Sequence, residues 1–348
     1  MKIVFSSRPL LSGSKTRGVG VYTRELVSAL QKDFSRDSFS VTDGNVYKSG
    51  ADLVHFPYFD PYFLTLPYKK PIPTVVTIHD VIPLRFPEHF PAGYRGKLKF
   101  ILQKKSLTNV AHILTDSSSS KADIITYLGI ASSQITVVPL AGSLVRATKT
   151  IEDEIAREYN LPSKYLLYVG DINWNKNVTG LIEAFSRLNQ KSLHLVLVGK
   201  VFADKPNIPE YRAVMSKVSH ADLHDRVHLL GYVPTHHLPY IYRHATLYIQ
   251  PSWYEGFGLP VLEAMREGCP VLSSGNGSLR EVGGEAVSYF DPSDMSSFVE
   301  SIKSLLAKPS ERKRISELGL ARAKEFSWEK TAQLTYEVYE KILASNSL

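Results

Sequence analysis

Apolar positions along this chain follow two rhythms. Short continuous runs, KIVF, DLVHF, TVVTI, HILT and ITVV, are followed further on by YLLYV, LHLVLV, RVHLL, TLYI, PVL and VSYF. Between them, apolar residues recur at three-and-four spacing in VYTRELVSALQ, SSSKADIITYLG, NVTGLIEAFSRLN, THHLPYIYRHA and LPVLEAMREG. Continuous runs read as strands buried on both faces, and the spaced patterns as helices covering them. Their alternation predicts an α/β architecture with parallel sheets. The series restarts after the charged stretch from Thr148 to Ser163, which divides the chain into domains 1–150 and 151–326. A last amphipathic segment, FSWEKTAQLTYEVYEKIL, carries Leu334, Val338, Tyr339 and Ile342 on one face. No fixed-period repeat or low-complexity tract interrupts the pattern. Two Rossmann-like halves are expected, with ligands at the carboxyl ends of their strands.

Composition agrees with two domains. A chain of 348 residues exceeds what one hydrophobic core usually supports, and 43% apolar with 22% charged residues suits a folded, water-soluble protein. No apolar run approaches the roughly 20 residues of a membrane span. The start, MKIVFSSRPL, meets a charge at Arg8 too early for a secretory signal and reads as a first strand. A single cysteine, Cys269, excludes an intrachain disulfide, and a cytoplasmic location is expected.

The net charge of +7 is unevenly spread. Arg85, Arg95, Lys97, Lys99, Lys104 and Lys105 stand against one acid, Glu88, and Tyr94, Leu98, Ile101 and Leu102 recur among them at helical spacing. The bland interpretation is a solvated surface helix. The sharper one is a patch of Lys97, Lys99, Lys104 and Lys105 facing anionic lipid headgroups or an acidic acceptor. No nucleic-acid-binding motif accompanies the charge, so nucleic acid is not expected as a partner.

The densest chemistry lies in WYEGFGLPVLEAMREGCP. Gly256 and Gly258 permit close backbone approach, Pro260 suits a first helical turn and Gly268 a helix stop. Free N–H groups at such a start attract phosphate. Glu263, expected in the first turn, would reach a diol beside that phosphate, and Glu255 would face whatever the phosphate carries. An ordinary strand-to-helix junction with surface acids has the same spacing. Gly18 and Gly20 fall between the first strand and first helix, another usual phosphate position. They lack the third glycine of a dinucleotide fingerprint, and neither Asp37 nor Asp43 ends a clear second strand, which demotes hydride transfer. His79 follows the strand TVVTI, and Lys176 follows the first strand of the second half. No two aspartates stand two apart, so the Asp-x-Asp device for a divalent metal is missing and no metal or cofactor is expected.

Taken in order, these segments resemble the family 4 retaining glycosyltransferases. PSWYEGFGLPVLEAMREGCPVLSS is similar to their Glu-x7-Glu signature, and RGVGVYTREL, TIHDVIPLRFPEHF, YVGDINWNKN and VHLLGYVPTHHLPYIYRHATLYIQPS resemble further family blocks. The resemblance implies the GT-B fold, two Rossmann-like domains facing across a cleft, with a closing helix at about 327–348 returning to the first domain. It implies that Glu263 binds the donor ribose, that Glu255 sits by the sugar and its developing charge, and that amides of Phe257, Gly258 and Leu259 meet sugar and diphosphate. Gly18 would approach the diphosphate, His79 the sugar, and Lys176 would be the diphosphate cation. Gly231, Tyr232 and Val233 would lie against the base.

The chain departs from the pattern where relatives pair the lysine with an arginine, since those positions hold Asp171 and Asn175. Another cation, such as Arg8 or Arg17, could substitute for that arginine. The implied reaction is retaining, metal-independent transfer of a hexose from a nucleotide-sugar, with GDP-mannose or a UDP-hexose as donor. The leaving phosphate would take the acceptor's proton. The acceptor would be a lipid-linked or polysaccharide chain, as in lipopolysaccharide assembly, met peripherally at the inner face of a membrane. The departures at Asp171 and Asn175 leave open a non-catalytic sugar-nucleotide binder within an assembly complex.

Overall fold

The computed structural model describes residues 1–11, 18–144 and 149–346. The chain divides into two compact units, Met1–Ala141 with Phe326–Leu348, and Gly142–Glu325. Each is built on a six-stranded, wholly parallel sheet.

In the first unit, β1 (Lys2–Ser6), β2 (Ser38–Thr42), β3 (Leu53–Phe56), β4 (Thr74–Thr77), β5 (His112–Thr115) and β6 (Ile135–Val137) lie in the order β2-β1-β3-β4-β5-β6. Strand β2 corrects the sequence reading. Only Phe39 of SFSVT is well buried, because β2 is the sheet edge and offers no apolar run; Asp43 directly follows it. Helices α1 (Gly18–Asp33), α2 (Gly93–Ser106) and the closing α3 (Trp328–Asn346) belong to this unit. Ala332, Thr335, Val338, Tyr339 and Ile342 form the buried stripe of α3, whereas Leu334 stays half-exposed.

Polar groups tie this closing helix to the sheet. His55 on β3 is fully buried, bonded to Tyr339 Oη at 2.6 Å and Thr77 Oγ1 at 2.8 Å, and Thr77 also meets Tyr22 Oη of α1 at 2.8 Å. Burial pushes the His55 imidazole down to about 3, so it is neutral near pH 7 and can bridge two hydroxyls without burying a charge.

Helix α2 forms where the spacing predicts, yet its apolar stripe points away from the core. Tyr94 is 87% exposed and Ile101 62%, with Leu98 and Leu102 also exposed. The buried positions are Gly96, Gln103 and Ser106. Gln103 Oε1 accepts from the Thr65 and Leu66 amides at 3.0 and 3.2 Å, and its Nε2 donates to the Leu66 carbonyl at 3.1 Å. A polar anchor thus seats this helix. Phe63, Leu64 and Tyr68 are exposed as well, with Lys99 over the Phe63 ring and Lys105 over the Tyr68 ring.

In the second unit, β7 (Tyr165–Val169), β8 (His194–Val198), β9 (Val227–Gly231), β10 (Leu247–Gln250), β11 (Val271–Ser274) and β12 (Ser288–Phe290) take the order β12-β11-β10-β7-β8-β9. This is the doubly wound order with its switch between β7 and β10. Continuous apolar runs form these strands because helices bury both faces; Leu166, Leu195, Leu197 and Ile249 are fully enclosed against Leu181, Phe185, Phe298 and Ile302. Each such side chain contributes roughly 1.5–3 kcal/mol of transfer free energy.

Candidate active site

At a topological switch point the connections leave in opposite directions and open a crevice beyond the strand ends. In the second unit, the loop after β7 carries Asp171, Asn175 and Lys176, and the loop after β10 carries Trp253 and Glu255. The two loops are fastened together. Trp253 N donates to the Asn175 carbonyl at 2.7 Å, Asn175 Nδ2 donates to the Tyr254 carbonyl at 3.1 Å, and Asn177 Nδ2 donates to the Pro251 carbonyl at 3.0 Å. Trp174 stacks against Trp253. Asn175 is buried, which gives the departure from the arginine pattern a local cause: this side chain is a tie between loops.

Those ties bring Lys176 and Glu255 together. Lys176 Nζ donates to both Glu255 carboxylate oxygens at 2.8 Å. Gln250 Nε2 and Ser252 Oγ donate to Oε1 at 2.8 and 2.7 Å. Glu255 is only 5% exposed, so its charge is met by one cation and two neutral donors. Its main chain is held too, since Ser278 N and Oγ both donate to the Glu255 carbonyl at 3.1 Å. The result is a carboxylate of fixed orientation beside an ammonium group.

Helix α4 (Leu259–Arg266) starts just beyond Glu255. Gly258 has φ +97°, a left-handed conformation, and a Cβ there would lie 2.7 Å from Leu279 Cδ2, so this cap requires glycine. The amides of Gly258 and Leu259 sit at the helix start, where intrahelical acceptors run out, and Pro260 removes the next N–H. Because the cap is Gly258, Glu263 is the fifth residue of α4 and opens the second turn, just past the first turn where the sequence reading put it. There it accepts from Tyr242 Oη at 3.0 Å. Burial pushes its carboxyl up to about 7, and the Tyr242 hydroxyl and Arg266 only partly oppose this. Gly231 ends β9 at φ +67°, with Ala203 Cβ 2.7 Å from where its own Cβ would stand. Tyr232 beside it is 50% exposed, while Val233 is buried.

The remaining candidates lie in the first unit. Gly18 is the exposed first residue of α1. His79 follows β4, and Asp116, which sequence reasoning passed over, follows β5. Register explains the meeting: Thr77 pairs with Leu114, so continuing both strands by two residues sets His79 opposite Asp116. Nδ1 lies 2.8 Å from Asp116 Oδ2 and Nε2 3.2 Å from the Pro57 carbonyl, and Tyr22 packs edge-on against the ring. Burial disfavours the charged imidazole, but the Asp116 charge and hydrogen bond, with Asp80 and the Pro57 carbonyl, outweigh it and raise His79 above its ordinary value. Both partners accept, which suits an imidazolium. Arg8 donates to the Leu64 carbonyl at 2.7 Å, and Arg17 lies outside the described residues. Lys97, Lys104 and Lys105 are exposed on α2, and Lys99 is half-buried.

Sequence comparison identifies the surroundings of this site. The family described as glycosyl transferases group 1 matches residues 151–322, and glycosyltransferase family 4 matches residues 43–141. O-antigen chain mannosyltransferase B of Escherichia coli is 32% identical over 302 residues, covering 83% of this chain and 75% of that protein. The MMP alpha-(1->4)-mannosyltransferase of Mycolicibacterium hassiacum is 32% identical over 248 residues, 70% of this chain and 57% of its own. In structure, sucrose-phosphate synthase from Thermosynechococcus elongatus superposes with a TM-score of 0.81 at 20% identity, over 99% of this chain and 100% of that one. With two six-stranded parallel sheets of this kind, the fold is the α/β GT-B class. The chain therefore belongs to the group 1, family 4 glycosyltransferases and is a glycosyltransferase acting on nucleotide sugars.

Proposed function

We propose that this enzyme transfers a hexose, mannose from GDP-mannose before a UDP-hexose, to a saccharide chain carried on lipid, with retention of anomeric configuration and without a metal. The observation that carries the reading is the Lys176–Glu255 pair at the β7/β10 switch point, beside the glycine-capped start of α4. The relatives named above support mannosyl transfer, and the O-antigen chain mannosyltransferase supports a saccharide-chain product.

In this reading the diphosphate lies against the amides of Gly258 and Leu259 and against Lys176. Lys176 then shares its charge between the leaving phosphate and Glu255. Glu255 faces the sugar and stabilises the positive charge that develops as the glycosidic bond lengthens; it forms no covalent bond. Glu263 accepts from the ribose hydroxyls, and the base rests against Gly231, Tyr232 and Val233. The departing phosphate oxygen takes the acceptor proton, so orientation and electrostatics are the protein's contribution. The exposed apolar and cationic face of α2 rests on anionic headgroups.

Incubating the enzyme with GDP-mannose, UDP-glucose and ADP-glucose tests this, following nucleoside diphosphate release with and without a polyprenyl-linked glycan. Acceptor-stimulated release from GDP-mannose that persists in EDTA supports it. Tight nucleotide-sugar binding with neither transfer nor slow hydrolysis would favour the non-catalytic binder instead.

A further inference from the structure

The first unit contains a cavity of about 990 Å³ that the donor site leaves unused. It is lined by the ends of β1, β2 and β3, at Ser6, Ser7, Thr42 and Phe56, so it opens by the switch between β1 and β3. Two features set it apart from a packing defect. Ser7 is 7% exposed and its Oγ has no hydrogen-bond partner, an unfavourable state for a buried hydroxyl unless a ligand or water completes it. Three cations, Arg8, Lys69 and Lys105, line the same space against one acid, Asp43, and among the described residues none of the three is paired with a carboxylate. The rest of the lining is largely apolar, and Leu64, Tyr68 and Leu102 belong both to the cavity and to the exposed face that continues into Leu98 and Ile101.

We propose that this cavity binds the phosphate-bearing end of an amphipathic lipid acceptor. The phosphate lies against Arg8, Lys69 and Lys105, the Ser7 hydroxyl donates to a phosphate or first-sugar oxygen, and the chain leaves along Leu64, Tyr68 and Leu102 toward the bilayer. Arg8 has guanidinium N–H groups to give beyond the one spent on Leu64. Asp43 is left to accept from a sugar hydroxyl. A cationic pocket that opens onto an apolar face matches a ligand with charge at one end and hydrocarbon at the other, and matches neither a free sugar nor a neutral lipid. The inference rests on the lipid-carried acceptor proposed above.

Calorimetric titration of the full chain with farnesyl phosphate below its micellar concentration tests it, beside farnesol, inorganic phosphate and phosphatidylglycerol vesicles. Farnesyl phosphate is expected to bind at least about tenfold more tightly than farnesol or inorganic phosphate, with Lys69→Ala and Arg8→Ala each weakening it by about tenfold. Ser7→Leu, filling the cavity, should abolish farnesyl phosphate binding and leave vesicle binding intact. Equal affinity in wild type, Lys69→Ala and Arg8→Ala would overturn the proposal, as would no binding of farnesyl phosphate at all. Loss of vesicle and farnesyl phosphate binding together in Ser7→Leu would assign the cavity to a bulk lipid headgroup and overturn its role as acceptor site. Wild-type hydrolysis of the donor separates the two levels. Hydrolysis without farnesyl phosphate binding sinks the cavity alone, and binding without hydrolysis sinks the transfer reading alone.

Discussion

Glu255 and Lys176 each received a separate role from the sequence, and the fold makes them one unit. Removing the lysine leaves a buried carboxylate with only neutral donors, while removing the carboxylate charge leaves the ammonium free. Lys176→Ala should therefore lower both stability, by about 2 kcal/mol, and turnover, by about 100-fold or more. Glu255→Gln should lose a similar factor in turnover while melting within a few degrees of wild type. Urea melts alongside donor-hydrolysis rates check this; a Lys176→Ala enzyme of wild-type rate would contradict the assigned role. Glu263 offers a pH test. Its folded carboxyl titrates near 7 against an ordinary 4.5, so between these values the folded state keeps a proton the unfolded chain has released. Unliganded stability should fall as pH rises from about 4.5 to about 7, and Glu263→Gln should flatten that slope. Urea midpoints across this range read it directly, and an unchanged slope in the variant would place the titration elsewhere.

Among elements, the strands were the easiest to read and the edge strand the hardest. Strands buried on both faces, such as LVHF, announce themselves as continuous apolar runs. Strand β2 buries Phe39 alone and so left no run to find, although Asp43 does directly follow a second strand. Helix α2 shows the opposite failure: three-and-four spacing located it, but periodicity cannot say whether a stripe faces a core or solvent. The glycine-rich start of α4 was legible because only glycine tolerates Gly258's conformation, whereas Asn175's tie and Asp116's partnership depend on contacts between distant loops. Two substitutions probe these elements. Gly258→Ala meets both positive φ and Leu279, and should destabilise by about 1–3 kcal/mol and weaken nucleoside diphosphate binding. Asn175→Arg, although it restores the pattern of relatives, should lower stability, because it buries a charge and cuts the tie to Tyr254. Scanning calorimetry with and without GDP separates these effects; an Asn175→Arg enzyme of higher melting point would show that the tie is dispensable.

For the whole molecule, the two compact units and their parallel sheets follow from alternation that the sequence displays, and family membership from ordered motifs. No helix of the described residues is long and apolar enough to cross a membrane. The exposed face of α2 instead combines apolar area with lysines, which predicts reversible, salt-sensitive attachment to anionic vesicles. Leu98→Ser with Ile101→Ser should reduce flotation about as strongly as reversing Lys97 and Lys99, with catalytic rates on water-soluble donors unchanged. Flotation that survives both pairs of changes would remove α2 from the membrane contact.

The central claim is that the Glu255–Lys176 site cleaves a nucleotide-sugar on the face from which the nucleotide leaves. Slow hydrolysis needs no acceptor, so proton NMR of GDP-α-mannose incubated with the enzyme tests it most directly. The account predicts that α-mannose appears first, before mutarotation, and that Lys176→Ala suppresses it. First appearance of β-mannose, or release at the wild-type rate in that variant, would contradict it.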